Sequence, residues 1–379
     1  MALGKQEILD QMRPSRIIWP ILIGIAVIAF AIYKVMENGL NPITDINWTF
    51  EVLLWVILGF GVMIVRDIGY IWRLRLLTDG KLRWKSAIQV TLLWEFASAL
   101  TPSVVGGSAL AIFMLIKEKI SAGRSTAIVF ITIFLDELFY LIMLPISIIL
   151  VGQESVFTRV NSDVGAFGMG VIVTFWVAYG VLFVYTTFLA FALFIRPQGT
   201  NLAFRRLFST KLFRRWEKSG DKMAEELLLS SEEFRAKSVS YWIKAFSATF
   251  IAWMGRYLVL NAVLAAFTSL TFFEHTVAFA RQAIMFVVMI VSPTPGSSGV
   301  AEGLFSRLFA EFSPAGYVLI LATLWRLISY YPYLFVGPII LPGWVRRVFR
   351  KSRSSNPEAH ETDMENKDRP TPKPAENLP

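Results

Sequence analysis

Two apolar segments of this chain are each broken near their middle by proline and glycine, and those breaks limit the fold more than any other feature. The first reads Ala99-Leu-Thr-Pro-Ser-Val-Val-Gly-Gly-Ser108, the second Val291-Ser-Pro-Thr-Pro-Gly-Ser-Ser-Gly-Val-Ala-Glu302. Proline removes an N–H and clashes with the preceding helical turn, and glycine admits conformations that other residues resist. Together they end a helix. In hydrocarbon every backbone group freed in this way must find protein or a wet cavity. A helix restarting after each break aims its N–H groups into that cavity, where an anionic head group can bind.

The setting is a membrane. Unbroken apolar segments run over about 17–35, 50–74, 125–151, 171–195, 241–267 and 315–341. At about 1.5 Å per residue each covers the roughly 30 Å hydrocarbon core. The first follows Lys5, Arg13 and Arg16 and has no small-residue cleavage site after it, so it reads as an uncleaved span rather than a signal peptide.

Lysine and arginine set the orientation. Five fall in 73–85, three in 117–124, eleven in 196–244 and eight after Leu341, against none in 36–49 or 268–276. Positive loops stay in the cytoplasm, which places both termini, 73–85 and 117–124 on that side. The stretch 88–116 between the last two then makes no net crossing. By the same parity 277–312 enters from outside and returns. The expected fold is all-α and polytopic, with about six spanning helices and two re-entrant Pro/Gly-broken hairpins in an inverted repeat; broken helices that cross fully are the main rival. One unit is 50–74, 88–116 and 125–151; the other is 241–267, 277–312 and 315–341. Such repeats, with broken helices at matching places, are a common transporter design with a midplane substrate site.

Other classes recede. The net charge of +9 lies in loops between spans, so nucleic acid is not an expected partner. The absence of cysteine and the presence of only two histidines, His275 and His360, offer no metal site, thiol nucleophile or triad. No catalytic motif, cofactor or metal is called for.

Ten ionisable residues fall inside apolar segments: Arg66, Asp67, Glu95, Asp136, Glu137, Arg256, Arg281, Glu302, Arg307 and Arg326. Each costs about 2.5–3.5 kcal/mol near the bilayer centre on insertion scales. Most therefore face one another or a wet cavity, and Arg66 and Arg281, near span ends, have the option of snorkelling. Internal ion pairing that only fixes helix packing is the plainer reading. In the sharper one, arginine forks bind a lipid phosphate and the carboxylates balance charge, meet a cationic group or carry a proton. Asp136 and Glu137 lie about 100° apart on a helix and so face different partners. The substrate-binding candidates are Thr101, Pro102, Gly106, Gly107 and Ser108 at the first break, Pro293, Pro295, Gly296, Ser297, Ser298 and Gly299 at the second, and Glu302, Arg326, Glu95, Asp136 and Arg256 at depth.

Between the units, Phe204, Phe208, Leu212 and Trp216 recur every four residues among basic neighbours, so about 199–240 reads as an amphipathic cytoplasmic helix on the anionic leaflet. Its plainer role is a topological anchor. The transmembrane domain spans 1–345, and 346–379, polar and proline-rich, reads as a disordered tail.

The pair TPSVVGG (101–107) and SPTPGSSGVAEGLF (292–305), in this span pattern, resembles the flippase-like transmembrane domain of lysylphosphatidylglycerol synthases, over roughly Ser15 to Val345. The resemblance implies movement of a lipid across the inner (plasma) membrane, in some members an aminoacylated phosphatidylglycerol. The family often carries an acidic residue and an arginine soon after the first Gly-Gly; here the stretch is Ser108-Ala109-Leu110-Ala111. With no soluble acyltransferase domain after Val345, the lipid synthesis of two-domain relatives is not expected. The leading function is therefore a lipid or lipid-linked-sugar flippase whose partner is a membrane lipid with an anionic phosphate. The alternatives are an intramembrane enzyme on a polyprenyl-phosphate lipid and a non-transporting scaffold for a neighbouring lipid enzyme. Homo-oligomerisation is left open.

Overall fold

A computed structural model of the chain describes residues 29–30, 33, 36–37, 39, 47–100, 104–162, 166–209, 217–290, 297, 300–314 and 316–353. The described residues form helices and turns with no strand. From Phe50 onward the helices are α1 (Phe50–Leu77), α2 (Trp84–Leu100), α3 (Val104–Lys117), α4 (Ala122–Val151), α5 (Gln153–Ser162), α6 (Ala166–Ala190, continued as a π-turn to Ile195), α7 (Pro197–Ser209), α8 (Glu217–Arg235), α9 (Val239–Ala265), α10 (Phe272–Ile290), α11 (Val300–Phe309), α12 (Val318–Ser329) and α13 (Tyr331–Arg353). Helix starts follow local chemistry. Thr49 and Ser238 cap α1 and α9 by accepting from Val52 N and Tyr241 N. Thr271 and Glu274 form a reciprocal capping box at α10.

Among the described residues, six helical stretches are long and apolar enough to cross a membrane: Phe50–Leu77, Ala122–Val151, Ile172–Ile195, Val239–Ala265, Phe272–Met289 and Val318–Val348. The chain is thus an all-α, multi-pass membrane protein. Five of these are expected spans, while the expected span at 17–35 lies largely outside the described residues. The first arm of the second broken hairpin was expected from about Val277; the helix there, Phe272–Met289, is long and apolar enough to cross.

Side-chain contacts assign the connections to two ends of the bundle. At one end Arg124 meets Asp79 at 2.6 Å, Lys237 meets Asp79 at 3.0 Å, and Arg347 binds Glu118. The turns after α1 and α3, the start of α9 and the far part of α13 therefore share this end, which carries the basic loops. At the other end Arg281 donates to Ser155 O at 2.6 Å and to Leu308 O at 2.8 Å, and pairs with Glu311 at 2.5 Å. The stretches 78–85 and 117–124 lie together, so α2 and α3 form a hairpin that starts and finishes at the basic end. The α10–α11 pair folds back likewise at the opposite end, because Arg281 and Leu308 sit symmetrically about the second break.

Helices α1 and α9 form the central pair. A Cβ on Gly69 would lie 2.9 Å from Ala248 O, one on Gly255 would lie 2.8 Å from Val62 O, and Gly59 faces Ala262. Residue numbers fall on α1 as they rise on α9, so the helices are antiparallel, and the missing side chains let their backbones touch. Leu53, Ile57, Ile64 and Ile68 of α1, with Val177, Val181, Val184 and Phe188 of α6, stay exposed. They are the surface that a bilayer would cover.

Three expectations need correction. Residues 199–240 are not one helix: α7 and α8 pack together, Asn201 Nδ2 donating to Ala224 O at 3.0 Å, and α8 docks on α4 through Glu226 Oε2, which accepts from Gly123 N. Leu212 and Trp216 of the proposed stripe lie outside the described residues. The tail does not begin at 346, since α13 continues to Arg353 and Arg347 is tied to Glu118. The last span is not one straight helix. It breaks at Tyr330, where Pro332 has no N–H to continue the ladder.

Candidate functional site

One face of α1 repeats at helical spacing. Arg66, Tyr70 and Arg73 are four and three residues apart and so share a side, turned toward α4 and α9. Asp136 sits at the middle of α4, between an apolar cluster holding Ile131 and Leu135 and another holding Phe139 and Leu144. On α1 the same clusters take Met63 on one side and Ile71 and Leu74 on the other. A polar layer therefore crosses the bundle at mid-length between two apolar layers.

Each carboxylate in that layer is held by arginine. Asp136 receives both terminal nitrogens of Arg73, at 2.5 and 3.1 Å, and the Trp253 indole N–H at 2.7 Å. Arg73 also donates to Thr249 Oγ1 at 2.9 Å. Glu95 binds Arg66 and receives Arg256 Nη2 at 3.1 Å. Arg66, wholly buried, further meets Asp67 at 2.9 Å and Tyr333 Oη. Arg326 Nε donates to Glu302 Oε1 at 3.1 Å. Neither Arg66 nor Arg281 snorkels; both are buried and bound. Asp136 and Glu137 do diverge. Glu137 is absent from the cavity wall, and its Oε2 is buried without a hydrogen bond.

This layer borders a cavity of about 300 Å³. Arg73, Glu95, Asp136, Arg256 and Arg326 supply its charge, and Trp94, Trp253 and Phe286 its apolar wall. The Arg256 guanidinium lies 5.0 Å from the Trp253 ring centre, and that of Arg326 lies 5.0 Å from Tyr330, contacts that suit a weakly hydrated planar cation. Thr91, Gln282 and Trp325 also line the cavity, with Thr91 Oγ1, Gln282 Oε1 and Trp325 Nε1 turned away from its open space and without a hydrogen bond among the described residues.

Both breaks open onto the same space. Ser98 and Ser108 flank the first, Met289 and Ser297 the second, and all four line the cavity. One carbonyl at each interrupted helix end is satisfied by a protein hydroxyl: Tyr330 Oη donates to Ala99 O at 2.8 Å, and Ser297 Oγ to Met289 O at 3.1 Å.

Of the sequence candidates, Glu95, Asp136, Arg256, Arg326, Ser108 and Ser297 line the cavity, and Glu302 reaches it through Arg326. Gly107 serves packing: a Cβ there would sit 2.1 Å from Ser98 Oγ. Gly106 lies in α3. Thr101, Pro102, Pro293, Pro295, Gly296, Ser298 and Gly299 lie outside the described residues. Sequence reading missed Arg73, counted there as a loop cation, and the aromatic frame of Trp253, Tyr330 and Tyr333. The spacing of Arg66, Tyr70 and Arg73 was the available signal.

Comparison with known proteins fits this architecture. The family described as lysylphosphatidylglycerol synthase TM region matches residues 17–337. A UPF0104 membrane protein of Archaeoglobus fulgidus is 25% identical over 331 residues, covering 84% of this chain and 94% of that protein. No solved structure matches.

Proposed function

Because this chain belongs to the family of lysylphosphatidylglycerol synthase TM regions, we propose that it moves a phospholipid or lipid-linked head group across the cell's inner (plasma) membrane. The mid-depth cavity is the head-group site. The observation that carries this reading is that both broken hairpins border one charged cavity. By the positive-inside rule the basic end and both termini are cytoplasmic. The α2–α3 hairpin is then re-entrant from the cytoplasm and the α10–α11 hairpin from outside.

An inverted repeat is supported by registration. Arg66 and Arg256 are 190 residues apart, as are Asp136 and Arg326, while Pro102 and Pro293 are 191 apart. The antiparallel α1–α9 crossing centres where Arg66 faces Gly255. Of these matched charged positions, Asp136, Arg256 and Arg326 line the cavity, and Arg66 stands behind it, bound to Glu95.

Chemically, an arginine released from its carboxylate offers the same fork to a phosphate. Exchange of one anion for another leaves no bare charge at depth, which is the costly alternative. The acyl chains remain in lipid while the head group crosses.

Purified protein in liposomes, offered labelled lipids with several head groups, tests this. Transport moves label between leaflets and leaves lipid mass unchanged; an enzyme on a polyprenyl-phosphate lipid changes the mass; a scaffold does neither. Arg326→Gln is expected to lower the transfer rate at least roughly tenfold, the loss of one charged hydrogen bond, with unchanged elution on gel filtration. Transfer no faster than in protein-free vesicles for every head group would sink the proposal.

A further inference from the structure

The basic end holds a second hollow, of about 490 Å³, separate from the central cavity. Arg75, Arg83, Trp84, Lys85, Ser86 and Arg347 form its wall. Four cations converge there, and among the described residues no carboxylate lines it. Of the nearby acids, Asp79 binds Arg124 and Lys237, away from the hollow, and Glu118 binds Arg347, one of the four. Arg83 and Lys85 are exposed and make no ion pair among the described residues. The other three like charges, Arg75, Arg83 and Lys85, repel at one mouth unless an anion joins them.

The hollow is also ordered. Asp79 and Gly80, both with positive φ, close α1 so that Gly80 N donates to Arg75 O at 2.9 Å. The Arg75 guanidinium rests 4.0 Å from the centre of the Trp84 ring, and Arg347 Nη1 is fixed by Ser86 Oγ at 2.9 Å. The first turn of the 17-residue α2 begins at Trp84, inside this wall. Its amides have no intrahelical acceptor, and its dipole favours negative charge. Beside the charges, Trp84 and Ile88 stand one helical turn apart and both are exposed. They form an apolar strip leading from the hollow along the outside of α2.

We propose that this hollow binds the phosphate of an anionic lipid standing in the leaflet at the basic end, with its acyl chains along Trp84 and Ile88. The strip is what selects a lipid over free phosphate, which would need only the cations. Arg347 belongs to both the hollow and the tie to Glu118, so a docked phosphate competes with Glu118 and bears on the foot of the α2–α3 hairpin. This inference does not depend on the transport reading.

The test uses the full chain in nanodiscs containing photoactivatable phosphatidylglycerol or phosphatidylcholine with identical tails, followed by mapping of labelled peptides. Phosphatidylglycerol is expected to label the Arg75–Ile88 region in clear excess over phosphatidylcholine. The double variant Arg83→Gln, Lys85→Gln, on exposed positions, should cut that labelling by roughly thirty-fold, the worth of two surface charges. Arg326→Gln should leave it unchanged, which separates this hollow from the central cavity. Equal labelling by both lipids, or undiminished labelling in the double variant, overturns the site. Complete competition by millimolar inorganic phosphate overturns the lipid assignment in favour of free phosphate.

Discussion

Two clusters of the molecule are built from the same parts and sit in different media. The mid-depth layer pairs Arg66, Arg73, Arg256 and Arg326 with Glu95, Asp136 and Glu302 around a cavity. The clasp at the basic end pairs Arg124 and Lys237 with Asp79 and Glu233. In the layer the Arg66 side chain is 0% exposed, whereas in the clasp Glu233 is 44% exposed. Water screens the clasp, so each of its pairs contributes little. The layer lies between apolar clusters, and its wholly buried member, Arg66, has no water to fall back on if it loses its partners. Surroundings, more than residue type, separate the two clusters.

The largest test of that contrast is Glu95→Ala. It leaves Arg66 and Arg256 without their shared carboxylate and should destabilise the fold by about 3–5 kcal/mol, read as a lowered melting temperature in detergent. Unchanged melting would mean that the layer is as wet as the clasp. Gly255→Ala comes next. The added Cβ would press on Val62 O and on Arg66 Cβ, at 2.8 and 3.0 Å, prising α9 from α1 at the layer alone. A loss of about 1–3 kcal/mol is expected, and a neutral result would show that the central pair yields.

The smallest effect belongs to the clasp. Glu233→Gln should cost less than about 1 kcal/mol, since Arg124 keeps Asp79. Hydrogen bonds from Arg124 hold the Glu233 carboxyl below its ordinary range. A depressed carboxyl adds stability that is fully present above its unfolded value of about 4.3 and is lost as pH falls through the lower folded one. Melting followed from pH 6 down to about 3 should therefore reveal a small acid-side loss that Glu233→Gln removes. A larger acid effect than that of Glu95→Ala would reverse the ranking of the two clusters.

That the basic stretches 73–85 and 117–124 share one end of the bundle was legible because cations collect in connecting segments. The basic stretches 73–85 and 117–124 do lie together, and the hairpin between them follows. The paired breaks were legible because proline and glycine interrupt a helix in any sequence. Arg73 was not, because a cation beside a basic loop looks like part of that loop; only burial against Asp136 and Thr249 separates it. The bend at Tyr330 was hidden within an apolar run. Pro332 was its one local signal; the bond from Tyr330 Oη to Ala99 O across the bundle is a tertiary contact that the local pattern does not announce.

The glycine contacts between α1 and α9 have a mechanical consequence. Helices that touch main chain to main chain have no cushion of side chains to slide upon, so this pair behaves as one stiff post. The two hairpins hang from it at opposite ends, each fastened at its foot by its own arginine, Arg347 on Glu118 and Arg281 on Glu311. The two fastenings are separate, so loss of one leaves the other in place.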